Sequence, residues 1–207
     1  MASIFELLTW LNFNLSVIFT VGLPIALHIW SINNKNKVIK KLLLNYWKIS
    51  ILFIISLMLF IGEQTFSLLI LNISFVLMTI SVWFWTDIND ELREYKIFHP
   101  LTLTTKVWRW SLTFISISFL FLSCFNNFCI FSLKSADCAY WFEPSNNLYS
   151  TLKILFNFLF GATFTAPIAK FLGLFALLIY SLGLLQWLII ELPKSGRKSN
   201  FSNYESF

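Results

Sequence analysis

WFWTDINDELREYKIFHPLTLTTKVWRW, residues 83–110, is the stretch that decides how this chain folds. Two tryptophan pairs, Trp83/Trp85 and Trp108/Trp110, bracket a polar connector, and a long apolar run leads away from each pair. Indole rings favour the boundary between lipid headgroups and acyl chains, so all four are candidate interface aromatics. The connector carries Asp87, Asp90, Glu91 and Glu94, four of the chain's 10 carboxylates, together with Arg93, Lys96 and Lys106. Such a pattern predicts two membrane helices tied at one interface by a charged hairpin.

Composition extends this reading to the whole chain. Of its 207 residues 57% are hydrophobic and 12% charged, whereas a soluble domain carries roughly a quarter charged residues. Five apolar runs, at about residues 15–32, 42–61, 66–85, 107–124 and 168–190, approach the ~20 residues that a membrane-spanning helix needs. The expected fold is all-α, a polytopic membrane protein with one membrane domain over residues 1–192 and a disordered tail over 193–207. Residues 1–14 interleave Ile4, Phe5, Leu8 and Trp10 with Ser3, Glu6 and Thr9. That pattern predicts a short helix lying at the membrane surface, distinct from the first span. Glu6 and the lack of a basic start argue against a cleaved signal peptide. Gly22 and Pro24 predict a kink in the first span, because proline removes a backbone donor.

The basic residues assign sides. Lys35, Lys37, Lys40 and Lys41 fall in one short loop, which the positive-inside rule places in the cytoplasm. Threading five spans from there puts twelve of the 15 lysines and arginines inside and Lys134, Lys153 and Lys170 outside. The N-terminus is then outside and the C-terminus cytoplasmic. Residues 62–65, GEQT, are too short to do anything but join antiparallel neighbours. Asn72, Ser67, Ser74, Thr79 and Ser81 make the third span polar, a face expected to point inward. Residues 148–160 are largely apolar, with Lys153 and Asn157 four apart on one helical face, and too short to cross, which leaves an interfacial or a re-entrant helix. Ala169, Gly173, Ala176, Tyr180 and Gly183 form a small-residue packing stripe on the last span.

Candidate chemistry is sparse. Asp87, Asp90, Glu91 and Glu94 share one face of any helix continuing past Trp85, but paired acidic motifs for magnesium would need a second cluster. A contact cluster, with the carboxylates meeting Arg109 and other basic residues at the membrane edge, is the preferred reading. His28 and His99 come without metal-ligand spacing. No cofactor, metal or catalytic residue is expected, and no basic face suggests nucleic acid. Cys129 and Cys138 enclose eight residues and are a candidate disulfide in an oxidising compartment, leaving Cys124 over.

Several segments together resemble a known family. FTVGLPIALHIW, Tyr46-Trp47, SVWFWTDINDEL, VWRW and CAYWFEP are similar to cyanobacterial membrane proteins known only as domain of unknown function 3177. The resemblance covers nearly the whole chain. It implies a photosynthetic host and a thylakoid or plasma membrane, and it implies no reaction. The expectation is a non-enzymatic accessory or assembly protein whose partners are the bilayer and other membrane proteins or further copies of itself. A small transporter or channel is the alternative, and a metal-dependent enzyme using the carboxylates ranks third.

Overall fold

The computed structural model describes residues 2–84, 100–125, 141, 143–186 and 189. Every regular element among them is helical: α1 (Ala2–Val17), a π-helical turn (Ile18–Gly22), α2 (Leu23–Asn33), α3 (Lys37–Ile61), α4 (Ser67–Phe84), α5 (Pro100–Phe125), α6 (Glu143–Phe160) and α7 (Ala166–Gln186). Among the described residues five helices are long and apolar enough to cross a membrane: Glu6–Asn33, Lys37–Ile61, Ser67–Phe84, Pro100–Cys124 and Ala166–Gln186.

Local chemistry sets the turns between them. Lys35 takes a left-handed backbone (φ 53) between α2 and α3, and the Asn36 side chain accepts from Ile39 N at 3.1 Å. This is an N-cap that satisfies one of the free amides at the start of α3. Glu63 (φ 51) turns the chain between α3 and α4 in the same way. Pro100 opens α5, where its missing N–H costs nothing. Gly161 (φ 64) ends α6, a conformation that disfavours a side chain.

The first helix differs from its expected form. α1, the π turn and α2 run on without a break, so no separate surface helix exists over residues 2–14. The reason is packing. Thr9, Asn12, Phe13 and Ser16 are buried, and α1 lies along α5. The distortion expected at Pro24 sits one turn earlier, as the π turn, with Pro24 near the start of α2.

α3 lies at the centre, touching α2, α4, α6 and α7, while α5 closes the far side against α1, α2 and α4. The core is aromatic: Phe53, Phe75, Phe119 and Trp141 stack in sequence with ring centroids 4.8 to 5.5 Å apart. Edge and tilted contacts of this kind add to the burial of the rings themselves. α7 meets the bundle along one edge, where Ala169 packs with Ile61 and Phe164.

Around this apolar core, the outward faces of the helices are apolar too, and hydroxyls are buried between helices. α1 and the π turn bury Thr9, Asn12, Ser16 and Thr20 while exposing Leu7, Leu11 and Ile18. α4 buries Ser67, Ser74 and Ser81, seven residues apart, and exposes Ile73, Val76 and Ile80. Asn72 and Thr79 are half-buried beside them. Hydroxyls inside and branched hydrocarbon outside is the sorting that lipid imposes.

Candidate functional site: a hydrogen-bonded core joining the first helix to α3 and α5

In the π turn, the Leu23 N–H reaches back five residues to Ile18 O. It thereby passes over Phe19 O, its partner in an α-helix. Pro24 has no N–H to offer Thr20 O. Both carbonyls are taken by other helices: Tyr46 of α3 donates its hydroxyl to Thr20 O at 2.8 Å. Trp108 of α5 donates its indole N–H to Phe19 O at 2.9 Å. The two rings meet edge to face with centroids 5.0 Å apart, and Met78 Sδ of α4 lies 3.5 Å from the Tyr46 hydroxyl. Four helical segments thus converge on two backbone carbonyls. Tyr46 and Trp108 are fully buried.

One residue on, a second polar knot ties α4 to α5. The Arg109 guanidinium donates Nη2 to Val82 O at 2.9 Å and lies 4.3 Å from the centre of the Trp83 ring. Trp83 donates its indole N–H to Thr113 Oγ1 at 2.9 Å, and Thr113 in turn donates to Arg109 O at 2.8 Å. Trp110 packs edge-on against Trp83 at 5.3 Å. The planar guanidinium serves the carbonyl and the indole face together, which an ammonium would do poorly.

Two serines of α5 extend these ties. Ser118 donates to Asn12 Oδ1 at 3.1 Å and Ser123 to Asn72 Oδ1 at 3.0 Å. Apart from the Thr113–Arg109 bond within α5 and the Leu23–Ile18 bond of the π turn, these bonds tie one helix to another. None pairs a nucleophile with a base, and no three His, Cys, Asp or Glu side chains gather among the described residues.

The expected site residues are distributed unevenly. Trp83 and Trp110 are exposed at the connector end, but Trp108 is buried and hydrogen-bonded inside the bundle, so it does not serve as an interface aromatic. Its helical phase, two residues from Trp110, turns it toward α1 and α3. Arg109, expected at a charged rim, is buried against the end of α4. Trp85, Asp87, Asp90, Glu91, Glu94 and His99 lie outside the described residues, as do Cys129 and Cys138. Cys124 is an exposed free thiol. His28 is half-buried. Of the small-residue stripe, Ala169 and Gly173 are buried, Ala176 and Tyr180 half-buried and Gly183 exposed. A methyl group on Gly173 would stand 3.0 Å from the Leu59 side chain, whereas one on Gly183 would meet nothing within 4 Å.

Sequence reasoning passed over the Tyr46–Trp108 core, although both residues stand in the segments that carry the family resemblance. A π turn leaves no periodic trace, and the available signal was an apolar helix with Gly22 and Pro24 facing a tyrosine that needed a partner.

Apolar surface, buried hydroxyls and five helices of spanning length define a multi-pass, all-helical membrane protein. Residues 6–200 match the family model described as protein of unknown function (DUF3177), and the chain belongs to that family. No curated protein and no solved structure matches it.

Proposed function

We propose that the protein is a non-enzymatic accessory or assembly component of a photosynthetic bacterium's plasma or thylakoid membrane, acting through helix-to-helix contact. The observation that carries this reading is the position of α7. Only 11% of its apolar window is buried, against 28% to 56% in the other four spanning helices. Its small-residue stripe is used against α3 at Ala169 and Gly173 and runs on through half-buried Ala176 and Tyr180 to exposed Gly183. Small residues at helical spacing admit close approach of another helix in lipid. The photosynthetic host follows from the family resemblance alone.

In the proposed orientation the turn at Lys35 and the connector beyond Phe84 face the cytoplasm. The positive-inside bias supports this. No observation favours the transporter reading: Gln64 donates to Gly62 O in a turn, Asn72 accepts from Ser123, and Pro24 sits in α2 at another level. The carboxylates of the enzyme reading lie outside the described residues.

Affinity purification of a tagged chain from native membranes in mild detergent tests the proposal. A larger assembly is expected, and Gly183→Leu should reduce its recovery while leaving the chain folded. A lone monomer in both cases would overturn the reading.

A further inference from the structure

α6 divides into three faces. Tyr149, Leu152 and Phe156 dock on the bundle around Ile61, Phe164 and Ala169. Asn146, Ser150, Lys153 and Asn157 form an exposed polar line at steps of four, three and four. Between these, in the last two turns only, Ile154 and Phe158 are 73% and 84% exposed, with Leu155 and Leu159 beside them. The first two turns carry Asn147 and Thr151 on that same side. The open apolar face therefore belongs to the end of α6 that leads into α7.

The link to α7 is short and tied down. Five residues separate Phe160 from Ala166. The Gly161 N–H returns to Asn157 O at 2.9 Å, and the Tyr149 hydroxyl donates to Phe164 O at 3.1 Å. The end of α6 is thus held at the level where a spanning helix begins. Beyond that link α7 also exposes apolar side chains, among them Phe171 and Phe175.

We infer that the last two turns of α6 lie in the bilayer interface, with Ile154, Leu155, Phe158 and Leu159 among the acyl chains and Lys153 and Asn157 in the hydrated headgroup layer. The occupant of the open face is lipid. Amphipathic helices with an apolar arc and a cationic polar edge settle at this depth. A re-entrant course would instead carry Lys153 and Asn157 into hydrocarbon, where nothing on α6 pairs them. The inference rests on the five helices crossing a membrane, which the test checks separately.

Nitroxide labels in a background with all three cysteines replaced by serine, reconstituted into phosphatidylcholine–phosphatidylglycerol vesicles, report contact with lipid or water. Labels at Ile154→Cys and Phe158→Cys should resemble a control at Phe114→Cys, a residue of α5 that is 74% exposed. All three should be relaxed more by oxygen, which partitions into acyl chains, than by a soluble nickel chelate, which does not, so that their oxygen-to-nickel ratio lies above one. Lys153→Cys and Asn157→Cys should show the reverse preference. Oxygen preference at all four α6 sites would overturn the inference in favour of a re-entrant helix. Nickel preference at 154 and 158, or protection from both agents there, would overturn it in favour of water or a protein partner. Nickel preference at Phe114→Cys would overturn the membrane reading itself, and this inference with it.

Discussion

Tyr46→Phe deletes one hydroxyl and strips Thr20 O of the donor that replaces its helical partner. The ring stays, so packing against Trp108 is retained and the loss isolates the hydrogen bond. Interhelical bonds in membrane bundles are worth roughly 0.6 kcal/mol on average and up to about 1.7. A carbonyl left bare in the interior sits at the upper end of that range, so a loss of about 1–1.5 kcal/mol is expected in reversible unfolding in detergent. Trp108→Phe removes the second donor together with part of a buried ring and should cost more, about 2 kcal/mol or above. If Tyr46→Phe were neutral, the carbonyl of Thr20 would not depend on α3. Arg109→Lys makes a parallel case at the end of α4. The ammonium keeps the charge but cannot both stack on Trp83 and reach Val82 O in the same geometry, and a loss of about 1–2 kcal/mol should follow. Trp83 fluorescence, resolved by subtraction of a Trp83→Phe variant, should shift as its cationic neighbour moves.

At the scale of elements, the α3–α7 contact is defined by what glycine lacks. A methyl group on Gly62 would stand 2.7 Å from Lys170 Cα, and because that atom is backbone, α7 itself would have to move. Gly62→Ala should therefore loosen α7, at a cost of about 1–3 kcal/mol typical of overpacking. Gly183→Ala meets open space in the isolated chain and should stabilise α7 by about 0.5–1 kcal/mol through its helix propensity. Opposite signs at Gly62, packed against α7, and at Gly183, clear of the bundle, measured by protease resistance of α7, would locate where the bundle stops. These elements were legible in the sequence to different degrees. Five apolar runs, the 62–65 hairpin and a helix over 148–160, which in the structure already begins at Glu143, follow from length and hydropathy. Burial of Thr9 and Asn12 does not, because polar residues near a chain start look like surface until α5 supplies Ser118 as a partner. Trp108 misleads for a related reason. An indole beside a charged connector resembles an interface anchor, and only the carbonyl released at Phe19 explains why it turns inward.

For the whole molecule, the proposed orientation predicts that Asn34→Cys and Glu63→Cys, both exposed at opposite ends of α3, label from opposite sides of intact vesicles in a cysteine-free background. Labelling of both from one side would refute a membrane crossing by α3. Exchanging Lys35, Lys37, Lys40 and Lys41 for glutamine should weaken the preference and yield a mixed population. The π turn bears on the chain in yet another way. Its ring, closed from Leu23 to Ile18, holds one residue more than an α-helical ring, as if a single codon had been spliced into an ordinary helix. Removing Gly22, whose surroundings are empty within 4 Å, should let the ring close while Asn12 and Leu27 keep their facing. Removing Ala26 instead should rotate everything between it and Asn33 by about 100° and scramble the packing on α3. At one place in its first helix, then, the gene can lose three bases and the bundle keep its register, surrendering only the handhold that Tyr46 now grips, since the proline would still leave Phe19 O free for Trp108.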